Sequence, residues 1–213
     1  MIDMASRTKQ RRTLGLALTI SLAACSGPEA QSADLVLTGG SLYSFAWDAP
    51  GPDGTPALAA PFSVTEGWRS DATAIAMRDN EILFVGDDAG AETFVGASMR
   101  VVDLDGETIL PGLVDSNTHV AALGRNLERI DLVGIDSEEE AVRAYTSGAA
   151  YAVFLEEETG VLTPGRWADV TVLSIDPLRV ATGDTPEDLF DGRVVMTIVG
   201  SVIAYEAPNT VNR

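Results

Sequence analysis

The chain of 213 residues contains one histidine, His119, one cysteine, Cys25, and one lysine, Lys9. A single thiol excludes an internal disulfide, so covalent stapling contributes nothing to the fold. A single imidazole limits any metal site, because a zinc centre draws on about three or four protein ligands and prefers nitrogen or sulfur. Positive charge is also scarce, with 14 Lys and Arg against 32 Asp and Glu and a net charge of −18. Nucleic acid is excluded as a partner, since a phosphate backbone requires a basic footprint. Electrostatic attachment to anionic lipid is excluded on the same ground. The acidic excess is read as a solubility device rather than as a binding site.

What basic charge there is gathers at one end. Arg7, Lys9, Arg11 and Arg12 precede an apolar stretch from Leu14 to Ala24, which is too short to span a bilayer as a helix. The stretch closes on Leu22-Ala23-Ala24-Cys25, which resembles a bacterial lipobox. Residues 1–25 are therefore expected to be a lipoprotein signal peptide and Cys25 the lipidated first residue of the mature chain. The protein would then be lipid-anchored to the membrane in the bacterial cell envelope, outside the cytoplasm. Beyond Cys25 the chain keeps 10 arginines and 31 acidic residues, a net charge of about −21.

Residues 26–33 are small and polar and read as a tether. Asp34 to Thr38 reads as a strand, and Gly39-Gly40 as a tight turn after which Ser41 to Ala46 pairs back. Residues 48–61 hold four prolines and form a loop. Two apolar runs, Ala72 to Met77 and Ile82 to Val85, flank Arg78-Asp79-Asn80-Glu81, a hairpin signal. Val101 to Leu104 and Thr108 to Leu110 flank Asp105-Gly106, a second one. Ser137 with Glu140 makes a capping box for a helix from Glu138 to about Leu155, weakened at Gly148 and closed by Gly160. Strand character returns at Asp169 to Leu173, and Arg193 to Val199 and Val202 to Tyr205 form a last hairpin about Gly200-Ser201.

Several of these segments together resemble one family. Gly106 to His119, with Pro111-Gly112-Leu113-Val114-Asp115-Ser116-Asn117-Thr118-His119, resembles the opening of the catalytic barrel in the amidohydrolase superfamily. The family motif there carries two metal-binding histidines two residues apart. Asp34 to Gly40 and Ala74 to Gly86 resemble the family's first strands. Gly160 to Leu173 with Asp176-Pro177, and Val195 to Tyr205, resemble its closing segments. Leu127 to Glu140 points to the amidohydrolase 3 group.

The resemblance implies a mainly β fold: a composite β-sandwich of the amidohydrolase type, built from residues 34–110 and 160–206. Residues 111–159 supply one main helix and a remnant of the (β/α)₈ barrel, and 207–213 a tail. A complete barrel needs roughly 250 residues, so most of it is missing, with an expected seam near Glu139 to Thr146. By resemblance, the parent activity is metal-dependent hydrolysis of non-peptide C–N bonds, with a divalent ion such as zinc activating water. Here Asn117 stands at the position of the first histidine ligand, and His119 is a vestigial metal ligand beside Asp115. An amide oxygen is a poor zinc ligand. The absence of lysine after Lys9 removes a carboxylated-lysine bridge.

The chain is accordingly expected to bind no cofactor and to have no catalytic residues of its own. Ser116 and His119 lack the context of a nucleophile elbow. Glu138-Glu139-Glu140 and Glu156-Glu157-Glu158 read as solvated helix faces, and Trp47, Trp68 and Trp167 as packing residues. The alternatives are a membrane-anchored binding or scaffolding sandwich, with homo-oligomer formation through the barrel-facing surface, and a truncated gene product without a selected role.

Overall fold

The computed structural model describes residues 32–97, 99–114, 137–183 and 185–208. Two sheets face each other. The first contains β1 (Leu35–Thr38), β5 (Ala74–Arg78), β6 (Glu81–Gly86) and β7 (Arg100–Asp103), in the order β6-β5-β1-β7. The second contains β2 (Ser41–Leu42), β8 (Thr108–Pro111), β9 (Val170–Leu173), β10 (Val194–Val199) and β11 (Val202–Glu206), in the order β11-β10-β9-β8-β2. A small ribbon pairs β3 (Phe62–Ser63) with β4 (Gly67–Trp68). The fold is mainly β, and neither sheet closes into a barrel. The second sheet is composite: β9, β10 and β11 from the C-terminal segment continue it from the N-terminal β8.

Alternation along the strands builds three apolar layers. Leu35, Leu37, Ile75, Met77, Ile109, Val170, Val172 and Ile198 fill the space between the sheets. Val36, Ala74 and Ala76 point the other way and lie under α1 (Asp88–Glu92), beside Ala91, Phe84 and Phe94. Leu110 and Leu173, on the outer face of the second sheet, pack with Tyr43, Phe45, Trp68 and Leu178. That outer layer is covered by α2 (Glu138–Tyr145) and α4 (Pro177–Ala181), while α3 (Ser147–Ala152) continues from α2. A 3₁₀ turn spans Pro186–Asp191.

Two of the expected hairpins are present. Asp79 and Asn80 adopt φ of 52° and 72°, and Gly200 and Ser201 φ of 54° and 65°, as a primed two-residue turn requires. Two others are not hairpins. The chain at Gly39-Gly40 leaves β1 in the first sheet and enters β2 in the second, and Asp105-Gly106 likewise carries β7 into β8. The two crossovers run side by side. β1 pairs with β7 and β2 with β8, both in parallel. Leu104 N donates to Thr38 O (2.9 Å), Gly106 N to Gly39 O (2.7 Å) and Ser41 N to Glu107 O (2.9 Å), which zips the gap between sheets. A Cβ on Gly39 would lie 2.4 Å from Asp103 Oδ1 and one on Gly40 would lie 3.2 Å from Glu107 O, so the glycines permit close approach rather than a reversal.

The main helix also differs from expectation. It breaks at Thr146, whose φ and ψ are −120° and −97°, not at Gly148. The buried Thr146 hydroxyl donates back to Val142 O (3.0 Å), offering the backbone a competing partner. The helical segment ends at Ala152, eight residues before Gly160, which at φ 91° instead packs so tightly that a Cβ would meet Ser147 Cα at 2.8 Å. At the other end of the fold, Ala33, placed in the tether, is buried and its N–H donates to Phe94 O (2.9 Å). No helix among the described residues is long and apolar enough to cross a membrane.

Candidate functional site

β8 delivers the chain to the position where the sequence places metal ligands. Its ladder with β9 extends past Pro111, as Gly112 N donates to Asp169 O (2.8 Å) and Leu113 N to Thr171 Oγ1 (3.3 Å). Val114 N then reaches Tyr145 O at the end of α2 (2.7 Å). The approach at Gly112 is close: a Cβ would stand 3.1 Å from Asp169 Cβ and 3.3 Å from the Asp169 carbonyl carbon. Asp115, Ser116, Asn117 and His119 follow directly and lie outside the described residues, as does Cys25.

Asp169 is the hub of this corner. Its Oδ1 accepts from Gly200 N (3.0 Å) at the β10–β11 turn, and Ser201 N donates to Ala168 O (3.2 Å). Ala168 N donates to Asn80 O (2.7 Å) at the β5–β6 turn, and a Cβ on Gly200 would meet Asn80 Oδ1 at 2.7 Å. Four segments far apart in sequence thus meet through Asn80, Gly112, Asp169 and Gly200. Each contributes backbone geometry or a capping carboxylate, and none contributes a reactive group.

Beneath the exit of β8 lies a polar network in an aromatic setting. Glu139 is fully buried. Its Oε1 accepts from Trp47 Nε1 and from Arg143 Nε, both at 2.8 Å, while Oε2 is buried without a hydrogen-bond partner. Glu138 accepts from Trp68 Nε1. The Arg143 guanidinium lies 5.5 Å and 5.6 Å from the ring centroids of Phe45 and Trp47 and donates to Trp47 O and Asp48 O. The solvated face expected for Glu138-Glu139-Glu140 is therefore corrected at Glu139. One partner, Arg143, lies at i+4 on the same helix, but the other, Trp47, comes from a loop more than ninety residues away, which no local charge pattern reveals. Trp47 and Trp68 pack as expected, with centroids 6.3 Å apart, whereas Trp167 is part-exposed.

Next to this network, the Tyr43 hydroxyl donates to Asp176 Oδ2 (2.6 Å), and Asp176 Oδ1 caps α4 at Leu178 and Arg179. Burial, seconded by that hydrogen bond, pushes the Tyr43 phenol far above its ordinary value. Ser44 holds Asp71 through both its hydroxyl and its N–H. These carboxylates accept hydrogen bonds that orient loops. No three His, Cys, Asp or Glu side chains converge as a metal site among the described residues. The donor set of the described residues does not fit a zinc centre, and His119, the single imidazole of the sequence, lies outside them.

The comparisons coincide with this frame. Residues 137–205 match the Amidohydrolase family. The match supports the amidohydrolase superfamily. The matched stretch opens at Ser137 and contains Glu139 to Thr146. Among curated proteins, "Protein LONG AFTER FAR-RED 3" of Arabidopsis thaliana is 33% identical over 69 residues, 32% of this chain and 12% of that protein. Imidazolonepropionase of Mesorhizobium japonicum is 36% identical over 70 residues, 32% of this chain and 17% of that protein. The chain thus spans less than a fifth of the length of either. A metal-dependent hydrolase from Pyrococcus furiosus aligns with 51% of this chain and 19% of its own, at 25% identity and a TM-score of 0.28.

Proposed function

We propose that this chain is the composite β-sandwich of a metal-dependent amidohydrolase, kept as a frame without a catalytic shell, and that it is inactive alone. The supporting observation is the corner built on Asp169. Asn80, Gly112, Asp169 and Gly200 join four segments there, and no three His, Cys, Asp or Glu converge as a metal site among the described residues. Asn117 in place of a ligand histidine and His119 as the sole imidazole supply at most a weak, open site. The parent chemistry is hydrolysis of non-peptide C–N bonds on a divalent ion such as zinc.

The test is titration with Zn²⁺ together with a panel of N-acyl and cyclic-amide substrates, for the unmodified protein and for Asn117→His. The expected result is weak metal binding and no turnover in the first, and tighter binding still without turnover in the second. Submicromolar zinc affinity in the unmodified protein, or turnover abolished by a chelator, refutes this reading.

In the same proposal Cys25 carries the lipid that holds the domain to the envelope membrane, on the strength of Leu22-Ala23-Ala24-Cys25. Two acyl chains give stable attachment where one is marginal. Cys25→Ala is expected to move the protein to the soluble fraction, and continued sedimentation with membranes contradicts the anchor.

A second reading, a scaffolding sandwich that self-associates, is favoured by one observation. Leu113, Val114, Tyr151 and Phe154 are exposed around the end of β8 and the helices beside it. A monodisperse dimer by light scattering supports that reading, and a monomer at high concentration removes it.

A further inference from the structure

Among the described residues, five arginines are spoken for by carboxylates. Arg69 pairs with Glu66, Arg78 with Asp79, Arg100 with Glu206, Arg143 with Glu139 and Arg166 with Glu157. In a chain with 32 acidic residues, a cation without a partner is the exception. Arg179 and Arg193 have no ion pair among the described residues, and each lines a groove. The Arg193 groove is walled by Asp103, Asp105, Glu107 and Asp191, which already answer its charge. The Arg179 groove is different.

That groove, of about 400 Å³, runs between the β3–β4 ribbon and the end of α4. Its volume is in the range of small-molecule sites, about 300–1,000 Å³. Phe62 forms one wall, fixed by its tilted contact with buried Trp68 at 5.2 Å between ring centroids. Val64 adds apolar surface and is almost fully exposed. Ser63, Thr65 and Thr182 supply hydroxyls. Asp176, three residues before Arg179, accepts from Tyr43 and from the backbone of α4 and makes no ion pair with Arg179. Glu66 also lines the groove and is held by Arg69 (3.2 Å) at a well-exposed position.

We propose that the groove between the β3–β4 ribbon and α4 binds a small monocarboxylate with an apolar body, its carboxylate on Arg179 and its body against Phe62 and Val64. A guanidinium presents two parallel N–H donors matched to a carboxylate. The apolar wall favours an aryl or alkyl acid over a bare inorganic anion. Glu66 adds to this choice, because a doubly charged phosphate meets its carboxylate while a single charge is satisfied by Arg179.

The test uses phenylacetate, its neutral analogue 2-phenylethanol and inorganic phosphate, followed by ligand-observed NMR against the full chain. Phenylacetate is expected to bind at least tenfold more tightly than either of the others. Arg179→Gln should weaken it at least tenfold, and Arg193→Gln should leave it unchanged. Arg179 is exposed, and circular dichroism and melting temperature verify that the variant keeps its fold. Three results overturn the proposal: no saturable binding of phenylacetate, equal binding of phosphate, or equal loss in the two arginine variants. The outcome is independent of whether the chain hydrolyses anything.

Discussion

The two faces of the composite sheet are built on opposite principles. The inner face meets the first sheet through aliphatic side chains alone, such as Leu37, Met77, Ile109 and Val172. The outer face meets α2 and α4 through Tyr43, Phe45, Trp47 and Trp68, each aromatic ring set among carboxylates and a guanidinium. An aliphatic layer is forgiving, because volume is its main requirement and its loss scales with the cavity left behind. A polar layer is conditional. Its groups are desolvated together, and each depends on a named partner.

The largest difference should therefore appear when one partner of the polar layer is removed. Arg143→Met leaves Glu139 buried with a lone Trp47 donor, and breaking a buried pair costs about 3–5 kcal/mol. The double change Glu139→Met with Arg143→Met removes both charges and should recover most of that loss, since well-packed apolar replacements of a buried pair are often neutral. Leu37→Ala in the aliphatic layer should cost about 2–5 kcal/mol, with no single second substitution that restores it. Urea denaturation of the unmodified protein, these three variants and Glu139→Met alone checks the contrast. Additive losses in the double variant would mean that the two faces do not differ in kind.

A smaller effect follows from Tyr43. Its folded-state ionisation is raised by burial and by the Asp176 hydrogen bond, so the folded chain keeps the proton where the unfolded chain releases it. The stability it contributes is full below the ordinary tyrosine range, near pH 10, and is lost as pH rises above it. Stability measured from pH 8 to 11 should fall at the alkaline end. Tyr43→Phe should flatten that fall while lowering stability at pH 8, since Asp176 loses a donor. An unchanged alkaline slope in the variant would assign the effect to other groups.

The same contrast governs what was legible in the sequence. The hairpins at Asp79-Asn80 and Gly200-Ser201 were readable because the turn and both flanking runs are local. Gly39-Gly40 and Asp105-Gly106 carry the same local signal, yet they serve as crossovers between sheets. Only the parallel partnering of β1 with β7 and of β2 with β8 distinguishes the cases, and that pairing spans some sixty residues. The aliphatic layer was visible as strand alternation. The burial of Glu139 was not, because three adjacent glutamates look like a wet helix face until Trp47 and Arg143 are placed on one of them. At the candidate site, the frame around Gly112 and Asp169 was readable as motif. Asn117, at the position of the missing first ligand, and His119, the expected vestigial one, lie outside the described residues.

The smallest expected effect tests a local choice at the surface, beyond both layers. Phe154 sits two residues past Ala152, the end of α3, with φ 62°. Leu155 N bonds to Ala150 O (2.9 Å) and Phe154 N to Tyr151 O (3.1 Å), the pattern of a helix closed by a left-handed residue. A Cβ in that conformation costs about 1–2 kcal/mol, the reason glycine is preferred there. Phe154 gains little in return, since its side chain is 88% exposed. Glycine loses about 0.5–1 kcal/mol through the freedom it adds to the unfolded chain. The balance predicts that Phe154→Gly stabilises the protein by about 0.5–1 kcal/mol. Gly160, also left-handed at φ 91°, should respond with the opposite sign, because a Cβ there meets Ser147 Cα at 2.8 Å as well as the strain. Gly160→Ala is expected to destabilise by about 1–3 kcal/mol. Melting temperatures of the two variants decide the matter: a loss on Phe154→Gly would mean that the ring makes a contact in solution, and would favour the self-associating reading of that surface.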